Sequence, residues 1–202
     1  MSRADYDRLS EDGAWKRGHY DGRRGLAEVV AEPRLSHEWR AWEVGLLIDR
    51  LRDPAGRRFG MPCGAMRIDW RGSSYEADAS FYLDAADARR VCASDAPACR
   101  PEDGDPPPQI AVEIDRTTAP GRAAERRRDY LEMGIVEIWS CTLRGGAAIH
   151  VPEPNRQPVA TEDSGVIPGL TRLDLDRLWS TTDWLARDRL LGAIAACVNP
   201  VG

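Results

Sequence analysis

The stretch from Gln109 to Cys141 constrains the fold more than any other part of the chain. Gln109–Ile114 is a short, mostly apolar run of the kind that forms a buried central strand. Thr118 and Pro120 open a helix that runs to Met133, Gly134 stops it as a C-cap would, and Ile135–Cys141 reads as a second buried strand. Buried strands need covered faces, so an α/β architecture follows. Inside the first run stands Glu113, flanked by Val112 and Ile114. A carboxylate among apolar neighbours is costly unless something partners it.

The remaining segments extend this pattern. Ser2 caps a short helix through Tyr6 and Leu9, ended by the Glu11-Asp12-Gly13 turn, and Tyr20–Val30 reads as a bent hairpin with glycines at 22 and 25. Ser36 caps a helix carrying Trp39, Trp42, Leu46, Leu47 and Leu51 up to Asp53-Pro54. Gly64–Trp70 and Tyr75–Leu83 form a hairpin across Arg71-Gly72-Ser73-Ser74, and Cys92–Pro108 is a long exposed loop rich in Pro, Asp and Gly. Ala147–Val151 adds a third strand after Ile135–Cys141, and the tail carries Leu170, Leu173, Leu175 and Leu178 before an amphipathic helix near Asp183–Cys197. The order predicts a mixed β-sheet flanked by α-helices, with an extra C-terminal helix.

At 202 residues and 42% hydrophobic, the chain suits one domain, with a core over about 20–152 and a C-terminal helical appendage over about 174–199. No run approaches the roughly 18 apolar residues of a membrane span, and Met1–Gly13 lacks the apolar centre of a signal peptide, so a cytoplasmic protein is expected. Five scattered cysteines without a CxxC pair, and only three histidines, argue for reduced thiols over a zinc site. A net charge of −5 excludes a generally basic nucleic-acid coat but leaves room for a local arginine cluster. Lys16 is the only lysine.

Asp78 at the end of one core strand, Glu113 within the next and Arg126 on the following helix could together form a phosphodiesterase site. Hard oxygen ligands suit Mg²⁺, which needs only one or two protein carboxylates. A metal so held polarises a phosphate and lowers the pKa of an attacking water.

Several blocks resemble one family. They are Tyr20-Asp21 leading to Gly25-Leu26, His37 at the first core helix, Glu76-Ala77-Asp78-Ala79-Ser80-Phe81, Pro108–Ile114, and above all Arg126–Trp139. From about Tyr6 to Leu178 the chain resembles the Uma-two type restriction endonucleases of the PD-(D/E)XK nuclease superfamily. The resemblance implies a restriction endonuclease-like fold, DNA as substrate, and Mg²⁺ or Mn²⁺ as cofactor. It implies Asp78 and Glu113 as metal ligands, with the Ile114 carbonyl a third candidate. Asp21 falls where a further catalytic acid stands in relatives, with Glu38 and Glu43 as rivals. Asp115, two residues beyond Glu113, faces the same side of the strand.

The departures weigh as much. Ala77 replaces a proline, Arg116 a serine, and Arg126 the helix lysine. Arginine stays protonated and cannot act as a base on water, although it can hold a phosphate bidentately. Two further readings therefore stand beside a Mg²⁺-dependent endonuclease: a catalytically degenerate protein binding nucleic acid or a partner through the same cleft, and a homodimer built on the Trp184–Ile194 helix. Taken alone, Arg126, Arg127 and Arg128 read as a solvated helix face, and the resemblance implies that one of the three reaches the carboxylates; His37 reads as a ligand or as a helix-start hydrogen-bonding residue, Trp39, Trp42, Trp139 and Trp179 as core, and Tyr130 as packing between helix and sheet.

Overall fold

The computed structural model describes residues 1–11, 18–29, 35–51, 60–94, 96, 98–115, 120–142, 145–153 and 158–198. At its centre β7 (Ile110–Asp115) and β8 (Glu137–Thr142) pair in parallel, joined by α4 (Pro120–Met133). Gly134 ends α4 with a φ of +102°, a conformation open to glycine at little steric cost. Along β7 the side chains alternate between faces. Ile110, Val112 and Ile114 enter one core cluster, and Ala111 enters a second with Tyr130 and Ile138.

β7 and β8 lie within a six-stranded sheet of order β10-β9-β8-β7-β6-β3, where β3 is Met61–Gly64, β6 Ala79–Tyr82, β9 Gly145–Pro152 and β10 Pro158–Thr161. One face is covered by α2 (Leu35–Arg50), α5 (Arg172–Ser180) and α6 (Trp184–Val198), whose Leu47, Leu178 and Ile194 share a cluster with Val112 and Trp139. Against the other face lie α4 and a four-stranded sheet of order β2-β1-β5-β4, with β1 Gly18–Asp21, β2 Leu26–Val29, β4 Arg67–Trp70 and β5 Ser73–Glu76. Its Ile68 and Tyr75 join Tyr130 and Met133 of α4. At the N-terminus α1 (Arg3–Glu11) is opened by Ser2, whose Oγ accepts from Asp5 N at 3.1 Å.

Four differences from the sequence reading have physical causes. Tyr75–Leu83 is two strands, β5 and β6, because the chain leaves the small sheet at Ala77-Asp78 and enters the large one. Helix α3 (Ala85–Cys92) was not expected. It is capped by Asp84, whose side chain accepts from the backbone N of Ala86 and Asp87, and it buries only Ala88. β10, with no fully buried residue, was not expected either. Trp42, expected in the core, is 49% exposed, while Trp139 and Trp179 are buried.

Cys92–Pro108 is mostly exposed, but Ala98 and Cys99 are buried. Cys99 exchanges hydrogen bonds with β4, its N donating to Arg67 O and its O accepting from Asp69 N, both at 2.9 Å. α6 turns Leu191, Ile194 and Val198 into the α2-side core and leaves Leu185 exposed. A homodimer through this helix is not supported. Among the described residues no helix is long and apolar enough to cross a membrane.

Candidate active site

The break between β5 and β6 opens a notch beside β7. Pairing of β6 with β7 begins at Ala79 and Val112, so past Val112 the β6 side of β7 lacks a strand partner. Asp78 stands in that gap. Its N donates to Val112 O at 3.0 Å, and its Oδ2 accepts from Ile114 N at 2.7 Å, taking over the backbone donor that β6 no longer serves. The amide it binds directly follows Glu113.

Glu113 is 5% exposed and faces α4. Arg126 and Tyr130, four residues apart and so on one face of the helix, both reach it. Arg126 Nη1 lies 2.7 Å from Oε2, and the Tyr130 hydroxyl donates to Oε1 at 2.6 Å. Both carboxylate oxygens are thus held by one helix. Tyr130 is fully buried, and that burial lifts its phenol well above the usual value. Glu113 adds to the rise and Asp78 adds a smaller part, against Arg126. One phenol therefore feels both carboxylates, and it remains a donor at any working pH.

The sequence reading took Tyr130 for packing alone. It packs, and it also fixes Glu113. The signal available was its spacing of four from Arg126, which places a hydroxyl wherever the guanidinium goes.

Asp21 has a different occupation. Its Oδ1 accepts from the backbone N of Arg23 and Arg24 at 3.0 and 3.3 Å, capping the turn between β1 and β2. That turn is clamped to α4: Arg23 reaches Asp129 at 2.7 Å, and Arg24 grips Glu125 through both Nη atoms at 3.0 and 3.1 Å. The Tyr75 hydroxyl also donates to Asp129, at 2.7 Å. Asp21 shares a cavity with Arg23, Arg24, Arg122, Glu125, Arg126 and Asp129.

Of its rivals, Glu43 is 1% exposed with Arg187 Nε of α6 at 2.5 Å from Oε1, and burial raises its pKa to about 7. The side chains of Glu38, His37 and Asp115, and residues Lys16, Arg116 and Thr118, lie outside the described residues. Arg127 is half-buried and helps push His150 down to about 4, after burial. His150 pairs with Ser140 Oγ at 3.0 Å, and Ser140 is the register partner of Glu113 on β8.

Asp78, Glu113 and the Ile114 carbonyl are hard oxygen donors on adjoining segments, the donor chemistry a divalent ion such as Mg²⁺ takes. Among the described residues no group of three or more His, Cys, Asp or Glu side chains converges as a ready-made cage. Two carboxylates suffice for an ion that keeps most of its waters.

A mixed central sheet covered by helices, with acids at a notch between neighbouring strands, defines a nuclease-type α/β fold. It is shared with a solved structure described as "a putative nuclease belonging to DUF820" from Anabaena variabilis ATCC 29413, at a TM-score of 0.61, 15% identity, and coverage of 89% of this chain and 98% of that one. The family model described as "Putative restriction endonuclease", Uma2, matches residues 3–176, and the chain belongs to that family. No curated protein matches it significantly.

Proposed function

We propose that the chain is a metal-dependent endonuclease hydrolysing DNA phosphodiester bonds. The observation that carries this reading is the notch itself, with the Asp78 carboxylate bound to the Ile114 amide next to buried Glu113. Asp78 and Glu113 would hold Mg²⁺ or Mn²⁺, which when bound supplies Lewis acidity to the phosphate and a more acidic water. Tyr130 holds the orientation of Glu113. Arg126 sits between Glu113 and the arginine-lined cavity, so its planar fork can grip a phosphate oxygen as the strand enters. It does not take a proton from water at any working pH. Asp21 acts through the turn that positions Arg23 and Arg24, on the substrate side of Arg126.

The Arg126–Glu113 ion pair also favours a second reading, a catalytically degenerate protein that binds nucleic acid in the same cleft. An arginine in place of the family's helix lysine removes the group poised nearest the attacking water. Incubation with supercoiled plasmid and single-stranded DNA in Mg²⁺ or Mn²⁺ separates the two. Metal-dependent cleavage by the native chain, lost in Asp78→Ala, supports the enzyme. Arg126→Lys should raise the rate. If neither the native chain nor Arg126→Lys cleaves while calorimetry still registers metal and DNA binding, the degenerate reading replaces it.

A further inference from the structure

Glycine in the interior of a helix weakens it, and usually a neighbour's close approach explains it. Gly45, in the middle of the 16-residue α2, has no such excuse: a Cβ placed there would meet nothing within 4 Å. The space it leaves belongs to a cavity of about 390 Å³ between α2 and the β3 side of the large sheet. Trp42, Gly45 and Leu46 line one wall, and Ala65, Asp78 and Ala79 the other. Trp42 is the half-exposed tryptophan at this cavity, its ring 4.8 Å from that of Trp39.

Two cavities flank the candidate site and differ in lining. On the Arg126 side lie Arg122 and Arg126, with Arg23 and Arg24 paired to Asp129 and Glu125, and Asp21 beside them; the guanidinium groups there can meet a phosphate. On the Asp78 side the lining carries two carboxylates, Asp49 and Asp78, no cation among the described residues, and an apolar middle with an aromatic face. Carboxylates repel phosphate and accept from N–H groups, while an indole stacks on a flat ring. The volume lies in the range of a small-molecule site, about 300–1,000 Å³, which is too small for a helix.

We propose that this groove receives one unstacked nucleobase of the substrate strand, while the adjoining phosphate faces Arg126. The assignment rests on the nuclease reading above and adds to it a substrate class: single-stranded or locally unpaired DNA, since a base inside a duplex cannot enter. Gly45 keeps the groove open and Trp42 forms its stacking wall.

The test uses a fluorescently labelled single-stranded dodecamer and matched dodecamers carrying one abasic position, with binding read by anisotropy in Ca²⁺ and cleavage in Mg²⁺. Gly45→Leu fills the groove and replaces a poor helix former with a good one, so it should unfold no earlier than the native chain. It should bind the intact strand roughly tenfold more weakly. In the native chain an abasic position at the right distance from the cleaved bond should cost a similar factor, and in Gly45→Leu it should cost nothing more. Trp42→Ala, at an exposed position, is the second variant and should lose roughly tenfold as well. If both variants bind and cleave like the native chain, the groove assignment is overturned and the nuclease reading stands. If the native chain neither binds nor cleaves any of these strands, both are overturned.

Discussion

Glu113 and Glu137 are buried carboxylates at opposite ends of the same parallel strand pair, and the groups that satisfy them differ in kind. Glu137 begins β8 opposite Ile110 and is 0% exposed. It accepts from Trp139 Nε1 and Ser164 Oγ at 2.8 Å, and from the backbone N of Gly165 and Val166 at 2.5 and 3.2 Å. All are neutral donors fixed by strand and loop, and together they staple the 164–166 loop to the sheet. Glu113 lies towards the carboxyl end of β7, the end at which open α/β sheets present ligand sites. Its partners are a guanidinium and a phenol from one helix. A charge-paired side chain can exchange for a metal or a phosphate, whereas a set of backbone N–H groups cannot leave. The same residue type therefore serves architecture at one end and is available for chemistry at the other.

The largest effect on stability is expected from Glu137→Ala, which strands four donors, the Trp139 and Ser164 pair of them buried, and should cost on the order of 3 kcal/mol or more in urea unfolding. Glu113→Gln keeps an acceptor for Tyr130 and gives up the ion pair with Arg126. It should cost roughly 1–2 kcal/mol while reducing divalent-ion affinity by an order of magnitude or more, read by calorimetry. Equal losses of stability from the two substitutions, with metal binding intact in Glu113→Gln, would erase the contrast between the two ends.

Tyr130→Phe sharpens it further. Removing the hydroxyl leaves Oε1 of a buried carboxylate short of one donor, so about 1–2 kcal/mol of stability should go. Metal-dependent cleavage should fall with it because Glu113 is no longer held in one orientation.

The smallest effect concerns pH, and it arises at Glu43 and His150. Burial, opposed by Arg187, raises Glu43 to about 7 from 4.5, so between those values the folded chain holds more proton than the unfolded one. Its contribution to stability falls as pH rises from 4.5 to 7. Burial and Arg127 lower His150 to about 4 from 6.5, so there the folded chain holds less proton and stability rises with pH across that window. From pH 4.5 to 6.5 the slopes oppose each other, and the native chain should be nearly flat. His150→Gln should uncover a decline with rising pH, checked by thermal unfolding at steps of half a pH unit. A flat profile in that variant would mean Glu43 titrates as an ordinary carboxylate.

Much of this molecule could be read along the chain because local rules wrote it there. Apolar runs at strand length, a 3.6-residue stripe and a terminal glycine mark β7, α4 and β8, and they place Glu113 and Arg126 on neighbouring elements. The block spacing also placed the chain in its family, which the family match over residues 3–176 shows. Two elements went unread: α3, which Asp84 caps but which buries only Ala88, and β10, which has no fully buried residue.

Other features depend on contacts between residues far apart in sequence. Asp78 closing the gap at Ile114, Tyr130 holding Glu113, Asp21 capping a turn that α4 grips, and Glu137 stapling a loop 27 residues away are all of this kind. Trp42 shows the same limit: its place in an apolar period says core, yet the helix turns it to the edge of a groove between α2 and the large sheet. The sequence by itself determined the central β7-α4-β8 unit and the residue types it carries, since periodicity and capping act over a few residues. Only the tertiary structure decided that Glu137 is held by neutral strand and loop donors and Glu113 by a guanidinium and a phenol, because the partners of a buried charge are chosen by packing across the whole chain.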